Sequence, residues 1–407
     1  MPLRLALALC ALAALLPGCG SQADAVPVYV SAPVSSQPWI ARSITNGAKL
    51  AVADINAKGG VRVGKARKKL RLVVKDNGGS PANALSDARD AVAKHALALL
   101  TDGTGAASIA SVTDPANLPV FICFDGGSRL IDPQRYPTLF RMAPADLTMA
   151  SRLADYIANA KPKVGLITDD SDYGQQGRAA VTTALATDEV AVVFNQTVGQ
   201  RAASVAPQVL AARRAGAQLL LVWASAADVA AVVTATHAAG WAVPVISGQT
   251  GEDPLVRQRL VEHPDWLKSL RFVSSRITAE VGPKPFEAFR AHYEAELGAE
   301  KVGVKQDGRD VLQPPDWQMY PYDSLTLAAE AMDEVGALGA PLMKAMNAAT
   351  IVGANGDSRG YNAGYHEGIS PSDMYFATFE GFQFVPVKDD PLSGSLPTVD
   401  QLAATSR

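Results

Sequence analysis

One pattern recurs along most of this chain. A short apolar run fit for a buried strand is followed by a turn rich in glycine, proline or aspartate, then by a stretch whose apolar residues return at helical spacing. "VPVYVSAP" leads to "NGAKLAVADINAKGG", in which Ala48, Ala51, Val52 and Ile55 share one helical face, Asn46 is the expected N-cap and Gly59-Gly60 the stop. "KKLRLVVKD" precedes "SPANALSDARDAVAKH", where Pro81 suits the first helical turn. "ALALL" runs into the glycine turn "TDGTG" and another helix, and "PVFICF" supplies a fourth strand. After "LFRMAPAD" the pattern restarts with a helix over 147–160, the strand "KVGLIT", the loop "DDSDYGQQG", a helix, "VAVVFNQ", a helix ending at "AAGW", and "VPVIS". Strands that alternate with helices pair in parallel and are covered on both faces. Two such series in 407 residues predict two α/β lobes, each a doubly wound, mostly parallel sheet.

The remaining segments are less regular. Residues 299–319 are polar and Pro-rich and read as a long loop or insertion, while "YDSLTLAAEAMDEVG" reads as a helix with Asp323 as N-cap and Gly336 near its end. The alternation in "MYFATFEGFQFVPV" predicts a half-exposed terminal hairpin. At the other end, Arg4 and a dozen apolar residues lead to "LPGCGS", the layout of an export signal rather than a membrane span.

Charge and side-chain chemistry narrow the function. A formal charge of −3 and a single basic run, "KARKK", which reads as a solvated hairpin or turn, argue against nucleic acid as a partner. Cys10 lies in the signal, Cys19 follows it, and Cys123 alone remains, so neither a disulfide framework nor a cysteine metal site is expected. His95, His237, His263, His292 and His366 are scattered, with no pair at ligand spacing. The stretch "LLTDGTGAASIAS" superficially fits a dinucleotide cradle, with Asp125 downstream as the ribose ligand. However, Ser108 replaces the third glycine, Pro115 interrupts the helix, and the motif follows the third strand rather than the first. No G-x-S-x-G elbow occurs and no Ser/His/Asp order stands out, so an enzyme is not expected, and no cofactor or metal is implied.

The ordered set "NGAKLAVADINAKGG", "VVKDNGGSPANALSDA", "LFRMAPAD", "DDSDYGQQG" and "YPYDSLTLAAEAM" resembles the type I periplasmic binding proteins, and within them the branched-chain amino-acid binding subgroup of bacterial ABC importers. The resemblance implies two lobes joined by three crossovers, with lobe one at 26–143 plus 278–350 and lobe two at 144–277 plus 351–407. It also makes "LPGC" resemble a lipobox, so that residues 1–18 are a signal peptide, Cys19 carries lipid at a membrane surface, and 19–25 form a linker. A small polar or amphipathic ligand, an amino acid or a related carboxylate or amide, is then expected between lobes that close over it, for delivery to an ABC permease. A sensor of the same fold that presents its ligand to a receptor is the alternative.

Carried over position by position, the resemblance places Gly105, Ala106, Ala107 and Ser108 at one ligand-facing turn and Asp125 and Gly127 at the next. Ala107 and Gly127 stand where that subgroup uses hydroxyls, and Asp125 suits either a ligand contact or an N-cap for "GGSRLIDP". Trp39 falls beside the family's ligand-facing aromatic, though a core role fits it as well, and Tyr173 matches a tyrosine of the cleft wall. The family's acidic residue for the ligand amine falls at Gln249 or Thr250 with Glu252 nearby, and its second-lobe tyrosine at Ser225 or Ala226. Tyr322 is expected to line the hinge or to pack beneath the cleft.

Overall fold

The computed structural model describes residues 24–158, 160–199, 203–275, 285–370 and 373–386. Strand β1 (Val26–Ala32) is buried along its whole length, as a central parallel strand must be when helices cover both faces. Helix α1 (Pro38–Ala57) starts earlier than Asn46 predicts, because Pro38 opens its first turn. Asn46 instead lies mid-helix and donates to the Tyr293 hydroxyl at 2.9 Å.

The hairpin β2 (Val61–Val63) and β3 (Ala66–Lys68) carries "KARKK". It is followed by β4 (Leu70–Asp76), α2 (Pro81–Ala93), β5 (Leu99–Thr101), α3 (Ala106–Ala116), β6 (Val120–Ile122) and β7 (Leu139–Arg141). The first sheet has the order β4-β1-β5-β6-β7 and every pair in it is parallel. The chain then crosses to a second lobe through α4 (Asp146–Ala158), β8 (Val164–Asp169), α5 (Asp172–Thr187), β9 (Val192–Val198), α6 (Ala206–Arg214), β10 (Leu219–Trp223), α7 (Ala226–Ala238), β11 (Val245–Ser247), α8 (Pro254–Arg259) and β12 (Leu270–Ser275).

A return to lobe one brings α9 (Pro285–Leu297), whose Phe286, Phe289 and Tyr293 enter the first core. The later elements are the hairpin β13 (Lys301–Gln306) and β14 (Arg309–Leu312), α10 (Met319–Val335), α11 (Ala340–Met346), the hairpin β15 (Thr350–Val352) and β16 (Ser358–Gly360), and the terminal hairpin β17 (Met374–Glu380) and β18 (Gln383–Pro386). The terminal pair joins the second sheet, β18-β17-β12-β11-β10-β8-β9, with β17 antiparallel to β12.

Packing revises several expectations. The 299–319 segment is not a loop, since the alternation of "KVGVKQ" turns Val302 and Val304 inward, and with Val311 they join the core of lobe two although α9 and α10 on either side belong to lobe one. Residues after 350 do not pass at once into lobe two, because Ile351, Tyr361 and Ile369 pack in the first core, so the third crossover comes between β16 and β17. The proposed boundary at 277/278 lies outside the described residues, as do Cys19 and the signal. Asp323 caps nothing. It sits inside α10, fully buried, where it meets Arg359. Among the described residues no helix is long and apolar enough to cross a membrane, and no group of three or more His, Cys, Asp and Glu is placed to hold a metal.

Candidate functional site

The loop after β6 meets Gln176 of α5, which follows β8, and Gln249, which follows β11, at the carboxyl ends of strands where open α/β sheets present their loops. On the lobe-one side, Gly103 at φ +120 lets the loop after β5 touch the loop after β6, since a Cβ there would lie 2.4 Å from Asp125 Cβ. Gly105, at φ +68, occupies the left-handed region before α3, where a Cβ would press to 2.9 Å from Pro81 Cα. Of the three residues that follow, Ala106 is buried against α2, whereas Ala107 and Ser108 are exposed. The Ser108 hydroxyl is therefore not enclosed between the lobes.

The loop 124–127 is where the lobes meet. Asp125 Oδ1 accepts the Gly127 N–H at 2.9 Å, so this carboxylate closes a tight turn and no helix follows it over "GGSRLIDP". Phe124 O accepts the Gln249 amide at 3.2 Å, and Gly126 O accepts the Asp146 N–H at 2.7 Å. A Cβ on Gly126 would fall 2.2 Å from Asp146 Oδ1, and one on Gly127 would fall 2.5 Å from Gln176 Oε1. The space beside Gly127 is taken by the amide of Gln176, which α5 brings from the other lobe. Arg141, fully buried, pins the loop by donating to Gly127 O at 2.8 Å while its Nε donates to Glu367 at 2.7 Å.

Several polar atoms in this seam are buried with no partner: both carboxylate oxygens of Asp146, Gln176 Oε1 and Gln249 Oε1. Buried polar groups are normally paired, so these atoms are the open hydrogen-bonding positions of the seam. Burial pushes the Asp125 carboxyl upward and the Asp146 carboxyl well upward, the latter driven further by the Asp125 charge. Tyr173 packs its ring on Trp223 at 5.7 Å, and its hydroxyl is raised well above the ordinary phenol by burial and by the Asp146 charge.

The other expected residues divide. Trp39 is 6% exposed and joins Phe124 and Trp317 in an aromatic cluster with ring separations of 5.1 to 6.3 Å, so it forms the apolar floor beneath Phe124 rather than a free wall. Ser225 accepts the Asp228 N–H at 3.2 Å as N-cap of α7, and Thr250 donates to Ala224 O at 2.7 Å. Tyr322 packs its ring against Phe289 at 5.2 Å. Its hydroxyl donates to Asp54 at 2.9 Å on the flank shared by α1 and α10. Glu252 is fully buried, bonded by Ser274 and Gln313, and so belongs to the interior of lobe two. Asp146, Gln176 and Gln249 face the loop instead. Only the "LFRMAPAD" and "SDYGQQG" motifs hinted at the first two.

The Glu252 cluster carries a pH signature. Burial pushes its neighbour Asp316 from the ordinary 3.8 up to about 7. An unfolded chain releases that proton near pH 4 while the folded chain keeps it to about 7, so the folded state binds more protons in that window and stability falls as pH rises through it. Urea unfolding at pH 5 and pH 8 should show this loss, and Asp316→Asn should flatten it.

A profile of the periplasmic binding protein family matches residues 26–383. No curated protein sequence matches the chain. Among solved structures, a periplasmic binding protein type 1 from Bordetella pertussis Tohama I superposes with a TM-score of 0.78 at 15% identity, covering 89% of this chain and 100% of that one. The branched-chain amino acid transporter substrate binding protein of Streptococcus pneumoniae, in complex with isoleucine, gives 0.73 at 20% identity over 90% of this chain and 100% of its own. A solute binding protein of an ABC transporter from Rhodopseudomonas palustris BisB5, in complex with 3,4-dihydroxybenzoic acid, gives 0.68 at 19%, covering 90% and 99%. With nearly the whole described chain matched, and with two α/β lobes meeting across a polar seam, this protein belongs to the periplasmic binding protein family.

Proposed function

We propose that the chain is an extracytoplasmic solute-binding protein of an ABC importer, holding a small solute between its lobes and delivering it to a permease, with no catalysis of its own. The observation that carries this reading is the seam: Asp146, Gln176 and Gln249 bring unpaired, buried polar atoms onto one lobe-one loop. The related structures with isoleucine and with 3,4-dihydroxybenzoic acid support a small-molecule ligand. Asp125 and Gly127, with Tyr173, are the sequence-predicted residues we keep at the site. Gly105 shapes its edge.

A solute that binds only the closed form shifts the lobes toward it and stabilises the fold by about 2.7 kcal/mol at 100 times its Kd. Thermal-shift screening of amino acids, amides, amines and aromatic acids, followed by small-angle scattering, should find at least one compound that both raises the unfolding temperature and compacts the molecule. Stabilisation without compaction would sink the interlobe reading. We further propose that Cys19 is lipidated. Cys19→Ala should move the protein from the membrane fraction to the soluble envelope fraction, and an unchanged distribution would exclude the anchor.

A further inference from the structure

We propose that the solute is an organic cation without a carboxylate, and that its ammonium or amidinium group docks against Asp146 with Asp125 beside it. This rests on the interlobe reading above. The unpaired oxygens at the seam are all of one kind: Asp146 Oδ1 and Oδ2, Gln176 Oε1 and Gln249 Oε1 accept hydrogen bonds. Asp146 is fully buried at the start of α4, with its carboxylate set against the Gly126 backbone. Acceptors in a closed site call for donors.

The local cation is already committed, because Arg141 spends its guanidinium on Glu367 and on the carbonyls of Asp125 and Gly127. Two indole donors are also unpaired: Trp223 Nε1 faces the Cα of Gly177 rather than the loop, and Trp317 Nε1 belongs to the aromatic floor beneath Phe124. An anionic group would meet Asp102, Asp125 and Asp146 together, while the N-terminal turn of α3 that might have offset them carries Ala107 and Ser108 on an exposed face. A cation reverses each of these costs. It satisfies the orphaned oxygens and stabilises the ionised form of two carboxylates whose pKa burial pushes upward.

The test uses the full mature chain and four probes: agmatine and putrescine as cations without carboxylate, leucine as a zwitterion, and 3,4-dihydroxybenzoate as an anion. Calorimetry should show agmatine or putrescine binding with compaction by scattering, and Asp146→Asn should weaken that binding roughly 30-fold or more. Asp125→Asn provides a second variant should Asp146→Asn fail to fold, with circular dichroism as the check. If leucine or 3,4-dihydroxybenzoate binds with compaction and neither amine does, the cation assignment is overturned and the interlobe site stands. Amine binding untouched by both variants overturns the placement at Asp146. Should none of the four bind and no other screened solute compact the molecule, both readings fall.

Discussion

Arg359→Ala is expected to destabilise the protein by about 3 to 5 kcal/mol, the largest loss foreseen for any single side chain here. Arg359 has no exposed surface. It donates to Asp373 Oδ1 at 2.8 Å, to Asn355 Oδ1 at 2.9 Å and to Asp323 Oδ2 at 3.4 Å. These partners come from α10, from the turn between β15 and β16, and from the segment entering β17, so one guanidinium joins lobe one to the third crossover. Removing it leaves two buried carboxylates without a counter-charge. Burial already pushes Asp323 up to about 6 with Arg359 present, and without it the carboxyl rises further. The folded variant then holds protons that the unfolded chain releases near pH 4, so its deficit should be greatest at pH 8 and shrink toward pH 5. Urea midpoints at those two values decide the matter. A loss that is small, or equal at both pH values, would show that the pair with Asp373 is not a structural joint.

Gly126→Ala should cost about 1 to 3 kcal/mol of stability in the closed form and impair closure, whereas Gly127→Ala should leave stability and closure unchanged and displace only the Gln176 amide. The two residues are neighbours, yet what each would strike differs. A methyl on Gly126 would fall 2.7 Å from Asp146 N and 2.7 Å from Pro144 O, both backbone atoms of the first crossover. Backbone there cannot yield without moving the lobes apart. At Gly127 the atoms within reach belong to the Gln176 amide, the free end of a flexible side chain that can swing away. Scattering should therefore find Gly126→Ala more extended than the wild type in the presence of a bound solute, and Gly127→Ala indistinguishable from it. Equal behaviour of the two variants would contradict the docking of loop 124–127 on the crossover.

Much of the architecture was legible from periodicity. The alternation of buried strands and amphipathic helices specified two parallel α/β layers because each element carries its own burial pattern, as the wholly apolar "VPVYV" and the helix of Ala48, Ala51, Val52 and Ile55 show. Element ends were less legible. Asn46 and Asp323 are good N-caps locally, but tertiary contacts with Tyr293 and Arg359 placed both inside helices. The lobe assignment of residues 299–319 and 351–370 was not legible either, since an apolar face states that it will be buried but not in which core.

The candidate site divides in the same way. Glycines at 103, 105 and 127 and the tyrosine at 173 could be marked from the chain because turns and aromatic walls leave local signatures. Whether Glu252 faces a ligand or an interior serine, and whether Tyr322 lines a hinge or meets Asp54, depended on side chains distant in sequence. The sequence by itself determined the two-lobed fold, through burial patterns that are local. Only the tertiary structure decided which side chains meet at the seam. The carboxylate of Asp146 and the amides of Gln176 and Gln249 meet on one loop because the fold brings distant segments together there, which no single stretch of chain specifies.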